Sequence, residues 1–315
     1  MSGGPVFVFP GQGSQAPGMG RELTACGPRA RRRIDAAQHI SGLPVQELMT
    51  VADAATIADP EIAQLLVFVW STVWLEQLTE VGVRPSIVAG HSLGEYSALV
   101  AAGSLGWETA VRLVARRGSA MTAAAKRRAG TMAAIVGLDP DALTRLCEQA
   151  SADHGVVNVA NYNSPRQAVI SGVVPAVEAV IVAARTQGAL RAKRLAVGGA
   201  YHCPLMASAE RELAPLLTDA TFTAPRVPFV SSITGRRVTD IEAYRAKLLG
   251  QVTAPVRWQD TVRTLLDRGT TTFLEVGPGR VLSGLGREMA RQATHLTAIE
   301  GLRSPGRLQG TAQTA

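Results

Sequence analysis

The chain has 315 residues, of which 46% are hydrophobic and 4% aromatic, with a formal net charge of +7 and a pI near 9.9. This length and apolar fraction suffice for a large core in one large domain or in two, which excludes a disordered chain. The basic residues are scattered rather than interleaved with aromatic rings. The charge therefore indicates an acidic protein partner or a phosphorylated ligand rather than nucleic acid.

The cysteines and the N-terminal segment indicate the compartment. Cys26, Cys147 and Cys203 lie far apart and form no Cys-x-x-Cys pair, so neither a disulfide framework nor a zinc site is predicted. The first residues lack the basic region and long apolar core of a signal peptide. The longest apolar stretch, residues 65–75, is too short to cross a bilayer and is predicted to be a buried helix. We therefore expect a cytoplasmic protein without membrane contact.

The first elements alternate between strand and helix. Val6 to Phe9 form a continuous apolar run that ends at Pro10-Gly11, which is typical of a strand buried on both faces of a parallel sheet. Helices are then predicted over residues 20–40 and 60–81, a strand over 87–89 and a further helix over 95–102. This order predicts an α/β core with its site at the carboxyl ends of the strands.

Five residues, Gly90-His91-Ser92-Leu93-Gly94, join the strand at 87–89 to the helix that follows. The pattern predicts a nucleophile elbow, a sharp strand-to-helix turn that presents the Ser92 hydroxyl. Glycine is expected on both sides because such a turn is strained and crowded. An incidental turn is the alternative, since short patterns of this kind also arise by chance.

The middle of the chain has a different order. Patterns of strand, helix, strand, strand, helix and strand occupy residues 131–136, 139–152, 156–161, 167–172, 175–187 and 189–197. That order is ferredoxin-like, and its entry is marked by the basic, alanine-rich residues 122–130. We therefore predict a small subdomain of residues 126–197 inserted into a large, discontinuous subdomain of residues 1–125 and 198–302.

The α/β pattern resumes after this insertion. Helices are predicted at 206–218, 244–249 and 258–268, and strands at 227–231 and 272–276. Residues 303–315 are predicted to form a flexible tail.

A serine nucleophile needs a base within hydrogen-bond reach. Among the five histidines, His202 lies in the glycine-rich segment 198–204, where the chain re-enters the core, and that is a favourable place for a base. A structural role is the alternative for His202. Solvated or packed side chains are expected for the other four, which are His39, His91, His154 and His295.

Residues 11–16, Gly-Gln-Gly-Ser-Gln-Ala, imitate a dinucleotide-binding fingerprint. We discount this match because Pro10 precedes it, Pro17-Gly18 interrupts the helix that would bind a pyrophosphate, and no acidic residue follows at the right distance. A glycine loop at the end of a strand can instead direct a backbone N–H at a developing oxyanion.

The predicted helix at 111–121 carries three arginines, Arg112, Arg116 and Arg117. Such arginines are usually solvated or ion-paired at a surface. If one of them faced the cleft, it would select a carboxylate through a bidentate, charge-assisted contact.

Six segments occur together in the order and approximate spacing of one known family: Phe9 to Gln15, Gly90 to Tyr96, Asn161 to Pro165, Tyr201-His202, Gln251 before Pro255-Val256, and Glu275 to Gly279. Together they resemble the malonyl-CoA:acyl carrier protein transacylase family, which includes free-standing acyltransferases of fatty acid and polyketide synthesis. The resemblance covers residues 6–302. It implies an α/β-hydrolase-like core with a parallel sheet and an inserted ferredoxin-like subdomain.

The resemblance also implies site residues. Ser92 would be the acylated nucleophile, His202 its base, and the backbone carbonyl of Gln251 would orient the imidazole. Backbone N–H groups of Gln12 and Leu93 would form the oxyanion hole. The remaining assignments are Arg117 for the free carboxylate of a malonyl group, and Met121, Asn161, Asn163 and Tyr201 for the substrate pocket.

Tyr201 bears on the choice of acyl group. In the family, phenylalanine just before the catalytic histidine goes with malonyl, and serine goes with methylmalonyl. Tyr201 is as bulky as phenylalanine, so we predict malonyl over methylmalonyl. The added hydroxyl keeps other extender units open.

The implied reaction is ping-pong transfer of a malonyl group from coenzyme A to the phosphopantetheine thiol of an acidic acyl carrier protein. Coenzyme A thioester is a substrate, and neither a metal nor a bound cofactor is expected. We expect a monomer. Candidate carrier contacts, with a merely solvated basic face as the alternative, are Lys126, Arg127, Arg128, Arg191, Lys193 and Arg194.

Other functions stay open at this point. A serine hydrolase would use the same elbow with water as acceptor. Within the transferases, the chain could charge a malonate decarboxylase carrier or edit misloaded carriers by hydrolysis. A catalytically idle module that binds carrier proteins is a further alternative.

Overall fold

The computed structural model describes residues 4–24 and 26–308. Their ten strands are β1 (Val6–Phe9), β2 (Ile87–Gly90), β3 (Thr131–Val136), β4 (Val157–Ser164), β5 (Gln167–Gly172), β6 (Arg191–Arg194), β7 (Phe229–Ser231), β8 (Arg236–Arg237), β9 (Thr272–Glu275) and β10 (Thr294–Thr297). Three short 3-10 helices cover Thr56–Ala58, Pro204–Met206 and Pro305–Arg307.

Helices cover most of the remaining described residues. In chain order they are α1 (Arg21–Thr24), α2 (Gly27–Ser41), α3 (Val45–Thr50), α4 (Pro60–Glu80), α5 (Gly94–Ala101), α6 (Trp107–Arg127), α7 (Pro140–His154), α8 (Val174–Thr186), α9 (Ala207–Asp219), α10 (Ile241–Leu249), α11 (Trp258–Leu266), α12 (Val281–Met289) and α13 (Ala298–Arg303).

The larger sheet has six strands in the order β10-β9-β1-β2-β7-β8. The first five are parallel, and β8 pairs antiparallel with β7 at one edge. Phe9 pairs with Gly90, so the carboxyl ends of β1 and β2 lie side by side. The predicted α/β class with a parallel sheet is confirmed, and the loops that follow β1 and β2 meet at the same edge of this sheet.

The smaller sheet is antiparallel, in the order β4-β5-β3-β6. Together with α7 and α8 it has its own hydrophobic cluster, which includes Ile135, Leu143, Ile170 and Val177. This is the β-α-β-β-α-β order predicted from the sequence. It supports a separate small subdomain, although α6 continues through Arg127, beyond the predicted boundary at residue 126.

Strand β4 links the small sheet to the segment between α10 and α11. The Val256 N–H donates to the Ala160 carbonyl, and the Tyr162 N–H donates to the Val256 carbonyl, each at 2.8 Å. Ser164 Oγ also donates to Glu288 Oε1 at 2.9 Å, which ties the end of β4 to α12. These contacts hold Asn161 and its neighbours against the segment before α11 and against α12.

Helix α4 is a core helix, as predicted for residues 65–75. Asp59 caps its N-terminus, where Oδ1 accepts from the Glu61 N–H at 2.8 Å. Among the described residues, α4 is the one helix that is long and apolar enough to span a membrane, judged by length and composition alone. However, 72% of its most apolar 18-residue stretch is buried inside the protein. Packing against neighbouring helices therefore accounts for its apolar character.

Several predicted elements differ from the structure. The helix expected over 20–40 is divided into α1 and α2, because Gly27 adopts φ +82° and Pro28 starts a new helix. The helix expected over 111–121 extends through residue 127, so most of the alanine-rich segment 122–130 is helical. No sequence pattern predicted α3, β8, α12, β10 or α13, because segments this short, or interrupted by glycine as α12 is, have little periodicity.

Residues 303–308, the first part of the predicted flexible tail, have ordered secondary structure. Arg303 ends α13, and Leu308 is only 3% exposed. A Cβ on Gly301 would lie 2.8 Å from Leu308 Cδ1, so this glycine provides the space in which the leucine packs. The rest of the predicted tail, residues 309–315, lies outside the described residues.

Candidate active site

The turn between β2 and α5 has the geometry of a nucleophile elbow. Ser92 adopts φ +54°, the left-handed region that side chains rarely occupy. A Cβ on Gly90 would lie 2.1 Å from the carbonyl carbon of Gly94, and a Cβ on Gly94 would lie 2.0 Å from the Phe9 oxygen. Both flanking glycines are therefore required by close backbone contacts, as the sequence predicts.

His202 lies within hydrogen-bond reach of this serine. The Ser92 Oγ to His202 Nε2 distance is 2.7 Å. Nδ1 lies 3.0 Å from the carbonyl oxygens of both Gln251 and Ala254. Because carbonyls only accept, Nδ1 carries the hydrogen and Nε2 is left to accept a proton from Ser92.

The environment of His202 keeps it neutral. The imidazole is buried, at 4% exposure, and burial together with the positive charge of Arg117 lowers the pKa of His202 to about 3. The hydrogen bonds to the Ala254 and Gln251 carbonyls oppose this shift without cancelling it. At neutral pH the side chain is therefore a free base that can accept a proton.

Arg117 projects from α6 into the same site and is only 1% exposed. Its Nη1 donates to Gln64 Oε1 at 2.6 Å, and its Nη2 donates to Ser92 Oγ at 3.1 Å and to Gln251 Oε1 at 3.0 Å. The buried Nε has no partner among the described residues. The neighbouring arginines behave as surface residues, since Arg116 pairs with Glu212 at 2.7 Å.

Glu95 lies beneath the elbow as a buried carboxylate. It accepts from the Ser232 N–H at 2.6 Å, from the Tyr244 hydroxyl at 3.0 Å and from Gln251 Nε2 at 2.8 Å. Burial raises the pKa of Glu95, and these donors oppose that rise. Three donors directed at two oxygens are what an ionised carboxylate accepts.

The loop after β1 packs directly against the elbow. The His91 N–H donates to the Phe9 carbonyl at 2.9 Å, and a Cβ on Gly11 would lie 2.6 Å from the His91 oxygen. Within residues 4–24 and 26–308, no acceptor is found for the N–H groups of Gln12 and Leu93. Both N–H groups thus remain available at the strand ends, where an oxyanion hole was predicted.

A cavity of 380 Å³ opens at this site. Its lining includes most of the predicted side chains, namely Gln12, Ser92, Arg117, Met121, Asn161, Asn163, Tyr201 and His202. Apolar residues of the small sheet and of α12 complete it, including Met132, Val169, Val281 and Leu285. The cavity therefore lies between the two sheets.

Tyr201 lines part of this cavity and is 5% exposed. Its buried hydroxyl forms no hydrogen bond of acceptable distance and angle with the described residues. Burial raises the pKa of Tyr201 to about 12, so the hydroxyl stays protonated.

Asn163 Oδ1 lies 2.9 Å from His91 Nε2, and the His91 ring packs on Trp258. His91 is therefore a packed side chain at the edge of the cavity, and its polar contact is with Asn163.

The other histidines lie outside the site. His39 and His154 are exposed, whereas His295 is buried, with Nε2 2.9 Å from the Ala290 carbonyl and its ring stacked on Phe273. In the part of the chain that the structure describes, no group of three or more His, Cys, Asp or Glu side chains could hold a metal ion.

Four site residues were not assigned from the sequence: Gln64, Glu95, Asn158 and Ala254. Asn158 Nδ2 donates to the His202 carbonyl at 3.0 Å, and so supports the left-handed backbone of His202, whose φ is +58°. Gln64 had a visible signal, because it is a polar residue within an apolar helix. Arg117 likewise shares a helix face with Val114 and Met121, which marks it as buried.

Comparisons with known proteins identify the family of this chain. The family model of the acyl transferase domain matches residues 6–308. Among relatives named malonyl CoA-acyl carrier protein transacylase, that of Bacillus subtilis is 39% identical over 287 residues, with 91% of this chain and 90% of the relative covered. That of Escherichia coli K12 is 39% identical over 294 residues, with 92% and 94% covered.

Solved structures agree as well. The transacylase of Coxiella burnetii superposes with a TM-score of 0.93 at 34% identity, covering 98% of both chains. A malonyl-transacylase solved in complex with its type II PKS acyl-carrier protein gives a TM-score of 0.90 at 35% identity, with 95% of this chain and 99% of the other covered. The chain therefore belongs to the acyl transferase family, among the malonyl CoA-acyl carrier protein transacylases.

Proposed function

We propose that this protein transfers a malonyl group from coenzyme A to the phosphopantetheine thiol of an acyl carrier protein, through an acyl-serine intermediate. The observation that carries the proposal is the position of Arg117. Its Nη2 lies 3.1 Å from Ser92 Oγ, and within the described residues it forms no salt bridge with a carboxylate. A malonyl group on Ser92 places its free carboxylate within reach of this buried cation.

The first half-reaction acylates the serine. His202 Nε2 takes the proton of Ser92 Oγ as that oxygen attacks the thioester carbonyl. The N–H groups of Gln12 and Leu93 stabilise the oxyanion, and each such donor contributes roughly 3 kcal/mol. The C–S bond then breaks, and His202 returns the proton to the coenzyme A sulfur.

The second half-reaction reverses these roles. The pantetheine thiol gives its proton to His202 Nε2, and its sulfur attacks the acyl-serine carbonyl. The C–O bond to Ser92 breaks, and the serine recovers the proton from His202. The same base and the same oxyanion donors thus serve both transfers, as ping-pong kinetics require.

Donor selection is assigned to two side chains. Arg117 exchanges its hydrogen bond to Ser92 Oγ for the substrate carboxylate, which favours carboxylated acyl groups. Tyr201 fills the cavity wall where an α-methyl group would lie, which favours malonyl over methylmalonyl. The chemistry uses protein groups alone, with coenzyme A thioester as substrate and no bound cofactor.

An acidic carrier protein is the proposed partner, and electrostatic attraction is the proposed means of docking. Six exposed basic residues lie at the end of α6 and on β6, on the small-sheet side of the cavity; they are Lys126, Arg127, Arg128, Arg191, Lys193 and Arg194. We propose that the protein acts as a monomer. Three free cysteines fit the reducing cytoplasm.

Intact-protein mass spectrometry tests the function. Incubation with malonyl-CoA should add one malonyl group to the protein, and addition of a phosphopantetheinylated carrier protein should move that mass to the carrier. Ser92→Ala should abolish the adduct, whereas Ser97→Ala should not, because Ser97 is a buried serine of α5 whose hydroxyl has no partner in the described structure.

Two results would contradict the proposal. Rapid release of free malonate without a carrier would indicate a hydrolase or an editing enzyme. Transfer that persists in Ser92→Ala would contradict the acyl-serine and favour a different role for the site. A panel of carriers from fatty acid synthesis, polyketide synthesis and malonate decarboxylase would then identify the acceptor.

A further inference from the structure

We infer that Glu95 is a positioning residue that orients Arg117 through the side-chain amide of Gln251, and that it thereby sets the preference for carboxylated acyl donors. The inference rests on the proposed function, since it concerns how the site recognises the malonyl carboxylate. Glu95 itself touches neither Ser92 Oγ nor His202 in the described contacts.

The Gln251 amide lies between the two buried charges. Its Oε1 accepts from Arg117 Nη2 at 3.0 Å, and its Nε2 donates to Glu95 Oε2 at 2.8 Å and to the Ser92 carbonyl at 3.0 Å. A guanidinium only donates, and a carbonyl and a carboxylate only accept. The orientation of this amide is therefore determined by its three neighbours.

Glu95 and Arg117 compensate each other at a distance. Neither forms a salt bridge within the described residues, although both are buried. A buried charge without compensation is costly, and a hydrogen-bonded amide between opposite charges transmits part of that compensation. The backbone carbonyl of the same Gln251 receives the His202 Nδ1–H, so one residue contributes to the orientation of both the base and the arginine.

Glu95 is itself held rigidly. The Ser232 N–H, which follows β7, donates to Oε1 at 2.6 Å, and the Tyr244 hydroxyl on α10 donates to Oε2 at 3.0 Å. The orientation imposed on Gln251 thus comes from the larger sheet and its helices. It does not depend on the cavity being filled.

Glu95→Gln separates the charge of this residue from its volume. The new amide oxygen must face the Ser232 N–H, which leaves the new NH₂ facing Gln251 Nε2. Two donors cannot bond each other, so the Gln251 amide should shift away from residue 95 and draw its Oε1 away from Arg117 Nη2. The guanidinium would then lose an acceptor and its position at the malonyl carboxylate.

The test is an equilibrium binding measurement in a Ser92→Ala background, which separates recognition from chemistry. Isothermal titration gives dissociation constants for malonyl-CoA and acetyl-CoA. Adding Glu95→Gln should weaken malonyl-CoA binding at least about tenfold and change acetyl-CoA binding less than about twofold, the effect expected for one charge-assisted hydrogen bond. If Ser92→Ala alone fails to prefer malonyl-CoA, the proposed function is at fault rather than this inference.

A second variant tests the route through Gln251. Gln251→Met removes the amide and keeps the backbone carbonyl, so it should cause the same selective loss, and Glu95→Gln should then add less than about a twofold further change. This variant also carries the test alone if Glu95→Gln does not fold. Tyr244→Phe, which removes one donor to Glu95 but keeps its carboxylate as the acceptor for Gln251, should change the ratio of the two dissociation constants less than Glu95→Gln does.

Three outcomes would overturn the inference. Equal weakening of malonyl-CoA and acetyl-CoA binding in Glu95→Gln would indicate a general structural role. An unchanged ratio in both Glu95→Gln and Gln251→Met would show that Arg117 needs no such support. A selective loss in Tyr244→Phe as large as that in Glu95→Gln would show that any disturbance of this region has the same effect.

Discussion

Ser92 and His202 are the two non-glycine residues in the described structure with positive φ, at 54° and 58°, and their side chains meet at 2.7 Å. Each left-handed residue costs roughly 1–2 kcal/mol, so surrounding contacts must hold both. Close backbone packing holds Ser92, and the hydrogen bond from Asn158 to the His202 carbonyl supports His202. The serine–histidine pair thus depends on parts of the fold far from both residues in sequence.

Gly94→Ala should destabilise the protein and remove the elbow. The added Cβ would lie 2.0 Å from the Phe9 carbonyl oxygen, which is backbone of the central strand and cannot move aside. We expect a loss of at least about 3 kcal/mol in the free energy of unfolding, measured by urea denaturation.

Gly284→Ala is the matched control for that prediction. Gly284 lies inside α12, and a Cβ there meets nothing within 4 Å. This variant should be neutral or more stable by about 0.5–1 kcal/mol, because alanine favours the helix. Equal stability of Gly94→Ala and Gly284→Ala would refute the crowding argument.

The pH dependence of Ser92 acylation should reflect the lowered pKa of His202. A base whose pKa is about 3 stays neutral as the pH falls through 6.5, the ordinary value for histidine, so kcat/KM should hold its plateau below pH 6.5. Acetyl-CoA is the suitable donor, because it avoids titration of a substrate carboxylate. Stopped-flow detection of released coenzyme A across pH 4.5 to about 8 would check this, and an acid limb centred at 6.5 would contradict it.

Arg117 contributes to the lowered pKa of His202, so its removal should move the acid limb of the pH profile for acylation. Without the positive charge beside Ser92, the pKa of His202 should rise, because the cation no longer disfavours the imidazolium. In Arg117→Ala, the acid limb of the acetyl-CoA profile should therefore lie at higher pH than in the parent protein. Arg112→Ala, an exposed position on the same helix, should leave the profile unchanged.

Arg117→Ala should also act selectively on the donor. Loss of a bidentate contact to the malonyl carboxylate should lower kcat/KM for malonyl-CoA at least about a hundredfold, with a much smaller effect on acetyl-CoA. Competition between the two labelled donors measures the ratio directly. Arg116→Ala, which removes a surface pair with Glu212, should behave as the parent does. Equal use of acetyl-CoA and malonyl-CoA by the parent protein would contradict the role of Arg117.

Tyr201 should set the limit on the α-carbon of the acyl group. Tyr201→Ser opens space in the cavity wall. The ratio of kcat/KM for methylmalonyl-CoA to kcat/KM for malonyl-CoA should therefore rise roughly tenfold or more, which is within the range that one methyl group contributes in a tight pocket. Tyr201→Phe keeps the bulk and should keep the preference. A large change in Tyr201→Phe would show that the hydroxyl, rather than ring size, selects the donor.

Local features of this protein were readable from the sequence. The strand, the Gly90 to Gly94 turn and the helix after it lie within a few residues of one another, and each depends on its immediate neighbours. The order of strands and helices in the small subdomain was predictable for the same reason, since these elements are regular and separated by clear turns. The family resemblance then related Ser92 to Arg117, Gln251 and His202, which no local pattern connects.

The tertiary structure alone decided how these parts meet. His202 lies 110 residues from Ser92 in the chain, and its pairing depends on where the segment after the small sheet re-enters the core. The amide of Gln251 between Glu95 and Arg117 likewise joins three separate elements. Contacts between distant segments are determined by the packing of whole helices and sheets, whereas sequence periodicity reports only which face of a single element is buried.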